Sequence, residues 1–90
     1  MLRITKTCED DQQIILRLDG KIISTTVSDL EELCLQYRNG GNKAVLLDLS
    51  GVTFIDNNGL ETLKRIKTRG VGMANGSPFV ETLLRGVGDR

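Results

Sequence analysis

The 90-residue chain contains no histidine, and its aromatic content is only 3%. The first absence removes every mechanism that needs an imidazole, including Ser-His-Asp and Cys-His nucleophile pairs and all His-ligated metals, which takes out most hydrolases. The second requires a core packed mainly with Leu, Ile and Val, and leaves no stacking platforms for single-stranded nucleic acid. Charge of one sign is not in excess either: 12 Lys+Arg meet 12 Asp+Glu for a formal net charge of zero, at a sequence pI of about 6.2. Bulk electrostatic capture of nucleic acid or an anionic membrane is therefore not expected, and any charged partner site must be local. Only two cysteines occur, Cys8 and Cys34, without CxxC spacing. They are too few for a four-thiolate zinc site or a disulfide framework and read as free thiols in a reducing cytosol. The longest strictly aliphatic stretch is Ala44-Val45-Leu46-Leu47, and Met1-Leu2-Arg3-Ile4-Thr5-Lys6 has no apolar signal-peptide core. The expectation is a cytoplasmic chain, neither exported nor membrane-inserted.

What is present is patterning for one small α/β domain over residues 1–90, the most that a chain of this length holds around a single core. Leu2 and Ile4 alternate with polar residues, and Ile14-Ile15-Leu16-Arg17-Leu18 follows the acidic turn Glu9-Asp10-Asp11-Gln12, which reads as a β-hairpin ended by Asp19-Gly20. Thr26 or Ser28, with Asp29 or Glu31 three residues on, predicts a capping box for a first helix with the apolar face Val27, Leu30, Leu33, Cys34 and Tyr37. On that stripe Cys34 reads as a small packed hydrophobe rather than a reactive thiol. Asn39-Gly40-Gly41 is a helix stop. Lys43 to Leu49 is nearly continuous in apolar residues, as in a central strand covered on both faces, and Ser50-Gly51 reads as a turn. Val52-Thr53-Phe54-Ile55 leads into Asp56-Asn57-Asn58-Gly59, after which Leu60, Leu63 and Ile66 mark a second helix ending at Gly70. A short strand at Val71–Ala74 precedes a third helix capped by Ser77 with Pro78 in its first position, whose apolar face is Phe79, Val80, Leu83, Leu84 and Val87. The order β-β-α-β-α-β-α implies a small mixed, largely parallel sheet with helices packed on it, and in such folds sites form where strands end and helices begin.

The most informative junction is Leu47-Asp48-Leu49-Ser50-Gly51-Val52-Thr53-Phe54-Ile55-Asp56-Asn57-Asn58-Gly59-Leu60. It resembles the signature of the STAS family, the sulfate-transporter and anti-sigma-antagonist domains, in which a strand ending LDLSGV runs into FIDSSGL at the next helix. The likeness extends to Leu16-Arg17-Leu18-Asp19-Gly20 with Thr26 opening the first helix, and to Asn75-Gly76-Ser77-Pro78 before the third. It implies a STAS-like fold and a small cytoplasmic domain without catalysis of its own, which binds an anti-sigma factor or another protein and so frees a sigma factor. In regulated members the second serine of DSSG is phosphorylated by the partner kinase, which breaks the complex. A phosphate is tolerated at a helix N-terminus, among unpaired N–H groups, while its roughly two negative charges spoil a surface shaped for a neutral hydroxyl.

The chain departs from the family at that place. Its two serine positions are Asn57 and Asn58, neither of which accepts a phosphate, and the loop position usually acidic before the first helix is Ile23. The expectation is a constitutively binding domain with Asn58 at the phosphosite-equivalent position. The spacing from the second helix to Ser77-Pro78 is also compressed by about a helical turn, which points to a shorter third helix or a smaller sheet, or to apolar surface covered in an oligomer; a monomer or weak homodimer is expected.

The residues expected to meet the partner are Asp56, Asn57, Asn58, Gly59, Leu60, Ser24, Thr25, Thr26 and Lys64. Plainer readings stand beside this one. Asn58 with Glu61 is an ordinary capping box worth about 1 kcal/mol, Gly59 suits a close approach of backbone, and Asp56 suits an Asx-turn. Asp48 reads as a carboxylate satisfied by nearby N–H groups; a metal pair of Asp48 with Asp56 lacks a third ligand, so no metal, cofactor or catalytic residue is expected. Lys64, Arg65, Lys67 and Arg69 are either a solvated helix face pairing with Glu61 or a contact for an acidic partner. Two partner classes remain: an anti-sigma factor, or the ATPase of a lipid-type ABC transporter to which some free-standing STAS domains are accessory subunits. Direct nucleotide binding is weaker, because the chain has neither a Walker A run nor GxGxxG.

Overall fold

The structure, a computed structural model, describes residues 2–41 and 43–88, with side chains described as far as Leu84. Its elements are β1 (Leu2–Glu9), β2 (Gln13–Ile22), α1 (Val27–Asn39), β3 (Ala44–Ile55), α2 (Asn57–Thr68), β4 (Gly72–Ala74) and α3 (Pro78–Gly88). They form a mixed α/β fold in the expected order, with one four-stranded sheet ordered β1-β2-β3-β4. β1 runs antiparallel to β2, whereas β2–β3 and β3–β4 are parallel.

Both crossovers, β2-α1-β3 and β3-α2-β4, advance across the sheet in the same direction. Right-handed connections therefore place α1 and α2 on the same face, where α1 packs on α2 and α2 on α3. Strand alternation supplies the facing surface: Ile14, Leu16 and Leu18 of β2 and Val45, Leu47 and Leu49 of β3 are buried. Helical periodicity supplies the other side through Val27, Leu30 and Cys34 of α1, Leu63 and Ile66 of α2, and Val80 and Leu84 of α3, all in one cluster. Burying each Leu or Ile side chain there contributes roughly 2 kcal/mol before conformational entropy is subtracted.

The structure corrects several local expectations. β3 is buried on alternate residues rather than on both faces, because the helices cover only one side and leave Leu46 and Asp48 half-buried on the other. Ser50-Gly51 is no turn: β3 passes through it unbroken. β2 likewise does not end at Asp19-Gly20 but continues to Ile22, absorbing register shifts against β3 on either side of Asp19-Gly20. Gly20 has φ 113°, a conformation that only glycine adopts without strain, and it lies between the two shifts, at each of which β3 carries one extra residue. α3 begins as expected, with the Val80 N–H donating to Ser77 Oγ at 3.3 Å. Its Phe79, however, is 57% exposed rather than part of the packed face, and the Val87 side chain lies outside the described residues. β4 is short, spanning three residues and pairing only with Leu46–Asp48.

Candidate functional site

β2 and β3 end together, with Ile22 paired to Ile55, so their following loops emerge at the same end of the sheet. Asp56 joins the two. Its backbone is extended (φ −88°, ψ −180°), and it is the N-cap of α2, its Oδ1 accepting from the Gly59 N–H at 2.7 Å. Its other oxygen, Oδ2, accepts from the Ser24 N–H at 3.0 Å, across to the β2–α1 loop. The Asp56 N–H in turn donates to the Ile22 carbonyl at 3.2 Å. One carboxylate thus satisfies an orphan donor of the helix start and a donor of the neighbouring loop, and its charge lies at the positive end of the α2 dipole.

Gly59 completes this contact. It is buried, and a Cβ placed on it would stand 2.1 Å from the Ile22 carbonyl oxygen and 3.1 Å from the Ile22 side chain. No other residue lets α2 approach the end of β2 so closely. Gly59 therefore lies beneath the surface of this junction, in line with the reading that it suits a close approach of backbone.

The β2–α1 loop is held differently. Thr26 is the N-cap of α1 but makes no side-chain cap. Its hydroxyl points back into the preceding turn, accepting from the Ile23 N–H at 3.1 Å and lying 3.1 Å and 3.2 Å from the carbonyls of Lys21 and Ile23. The expected capping box with Asp29 or Glu31 is absent for that reason. Asn58 with Glu61 is corrected too: the cap is Asp56, and Asn58 is the second helical residue, with an exposed side chain.

The surface at this end presents Ser24, Thr25, Asn57 and Asn58 exposed, with Thr26, Asp56 and Leu60 half-buried among them. Lys64, one turn beyond Leu60, is half-buried on the α3 side of α2. Phe54, 46% exposed at the end of β3, is an apolar neighbour in the chain that sequence reasoning missed. The signal for it was strand alternation, since Ile55 beside it is buried.

One charge expectation changes, and two other readings hold. Arg65 does not pair with Glu61 but reaches α1, where Nε and Nη2 donate to the Glu31 carboxylate at 2.8 Å and 3.0 Å. This bidentate pair holds the Glu31 carboxyl below its usual range. Asp48 accepts from the Ser50 N–H at 3.0 Å and from Asn75 Nδ2 at 3.3 Å, which hold its carboxyl low with the backbone bond leading. It lies eight residues before Asp56 along β3, more than about 20 Å away in an extended strand, so the two cannot share a metal ion. Cys34 is fully buried and its thiol is pushed up to about 11, by burial first and by the Glu31 charge second, the behaviour of a packed hydrophobe.

These features define a class: a mixed-sheet α/β domain whose presented surface is a pair of strand-to-helix junctions locked together by one carboxylate. The sequence model of the STAS domain matches residues 3–86, and the chain belongs to that family. Among solved structures, it is similar to the anti-sigma factor antagonist SpoIIAA in its unphosphorylated form, with 16% identity, 92% of this chain and 82% of that chain covered, and a TM-score of 0.69. It is also similar to part of a protein called Mglu, with 24% identity and a TM-score of 0.61, covering 82% of this chain but only 19% of that one. At such identities the likeness concerns the fold. A sequence comparison with curated proteins gives no match. Among the described residues, no helix is long and apolar enough to cross a membrane.

Proposed function

We propose that this domain is a non-catalytic cytoplasmic interaction regulator of the anti-sigma factor antagonist type, docking a protein partner on the two junctions and the start of α2. The observation that carries this reading is the Asp56 carboxylate, bonded at once to Gly59 of α2 and Ser24 of the neighbouring loop. A surface assembled from two loops meets a partner at low entropic cost only if the loops are held before contact. Asn57 and Asn58 lie exposed at its centre, uncharged and unable to take a phosphate, so docking there is not switched by phosphorylation. Nucleotide binding at the start of α2 is disfavoured, because Asp56 already occupies the Gly59 N–H and places a negative charge where a phosphate would sit.

The loss of a phosphorylatable residue equally suits a permanently assembled accessory subunit of a lipid-type ABC transporter, and one experiment separates the two. Purified protein is offered to an anti-sigma kinase-like ATPase and to a transporter ATPase from its host, and binding is measured by calorimetry. Binding the first, weakened at least about tenfold by Asn58→Asp through one buried like charge, supports the antagonist reading. Binding only the second supports the transporter reading, and binding neither overturns both.

A further inference from the structure

We propose that the domain pairs with a second copy of itself, the acidic outer face of α1 on each copy seating in the basic cleft between α2 and α3 of the other. Asp29, Glu32, Leu33 and Gln36 line a shallow depression of about 250 Å³ on α1. They recur at i, i+3, i+4 and i+7, opposite the buried Val27, Leu30 and Cys34, so this ridge points away from the sheet. Between α2 and α3, Lys64, Lys67, Thr68 and Leu84 line a cleft of about 290 Å³. Neither set of lining residues includes a charge of the opposite sign, and among the described residues Asp29, Glu32, Lys64 and Lys67 make no ion pair.

The two surfaces match in spacing as well as in sign. Asp29 and Glu32 are three residues apart on one helix, Lys64 and Lys67 three apart on another, and such pairs stand about 5–6 Å apart between Cβ atoms. Laid along each other, the helices bring both acids to both lysines, while the half-buried Leu33 beside the acids meets the apolar floor at Leu84. The zero net charge of the chain conceals this segregation: the acidic helix that the cleft requires is already on the same molecule. Both surfaces open on the outer side of the helix layer, so a two-fold axis lets each copy give one α1 ridge and receive another, closing the assembly at a dimer. Lys64 is one turn from Leu60, so pairing also covers a flank of the docking surface, although the inference stands on charge and spacing and not on the identity of any partner.

Exposed ion pairs are weak and screened by salt, so the test is sedimentation equilibrium across a concentration series at about 20 mM and about 0.5 M ionic strength. The expected result is a mass rising towards twice the monomer at low salt and constant at high salt. Asp29→Lys with Glu32→Lys leaves both surfaces basic, and Lys64→Glu with Lys67→Glu leaves both acidic. Each doubly reversed chain alone is expected to weaken association at least about tenfold, by like-charge repulsion. An equimolar mixture of the two is expected to recover it, because each then supplies what the other lacks. Far-UV circular dichroism checks that both fold; should either not, Asp29→Asn with Glu32→Gln replaces it and must weaken pairing in the same direction. A natural chain monomeric at low salt, association insensitive to salt, or a mixture that fails to recover pairing overturns the proposal.

Discussion

The two strand-to-helix junctions, β2 into α1 and β3 into α2, lie side by side at the same end of the parallel strands yet are built on different principles. At the second, an aspartate in extended conformation caps the helix and reaches the neighbouring loop; at the first, a threonine spends its hydroxyl on the turn behind it and leaves the helix start without a side-chain cap. The helix after the first junction is anchored instead by its buried face, Val27, Leu30 and Cys34. The comparison teaches that one residue, Asp56, bonds to both junctions, whereas Thr26 bonds only within its own turn.

The largest way to break this arrangement is Gly59→Ala, which forces α2 away from Ile22 and is expected to cost about 3 kcal/mol in urea unfolding. A loss below about 1 kcal/mol would mean that the close approach is not needed. Next comes Asp56→Ala, at about 2 kcal/mol, with faster hydrogen exchange at the Ser24 amide as well as at Gly59. Asp56→Asn keeps an amide oxygen able to cap and should restore much of that stability. Exchange unchanged at Ser24 would show that the two junctions are independent.

The core anchorage of α1 is open to a pH test. The Cys34 thiol is raised from 9.0 to about 11 in the folded state, so the unfolded chain loses its proton first as pH rises. Stability is therefore fully present below pH 9 and falls through the window between the two values, by about 2 kcal/mol at pH 11. Denaturant midpoints of the natural chain and of Cys34→Ala across that window measure the difference; parallel curves would count against a buried thiol. Thr26→Ala should cost about 1 kcal/mol, through the turn bonds and not through a cap. Smallest is Asn58→Ala, expected within about 0.5 kcal/mol, since the exposed amide caps nothing; a full 1 kcal/mol would reinstate a capping box with Glu61.

Much of the fold was legible because it rests on local periodicity. The alternation in Ile14–Leu18 and the i, i+3, i+7 spacing of α1 report burial one residue at a time. The apolar run Lys43–Leu49 was over-read, since periodicity alone does not say how many faces a strand covers. Ser50-Gly51 was misread as a turn because those residue types favour turns, and tertiary pairing with β2 overrode that preference. At the two junctions, the segments were visible in the sequence, but the bonds that their residues make were not. Whether Asp56 or Asn58 caps α2 depends on whether Asn57 and Asn58 take helical conformation, and the pairing of Arg65 with Glu31 instead of Glu61 depends on where α1 lies beside α2.

By itself, then, the sequence determined the order of elements, the composition of the core, the absence of imidazole chemistry and the pair of amides, Asn57 and Asn58, between Asp56 and Gly59. Those are properties of residue type and short-range spacing, which a linear chain already carries. Only the tertiary structure decided that Asp56 binds a loop 32 residues earlier, that Gly59 lies under the surface and that an acidic ridge and a basic cleft open on the same side. Each of these is a relation between segments that meet only after the sheet has formed, and no local preference encodes a hydrogen bond or a steric contact between them.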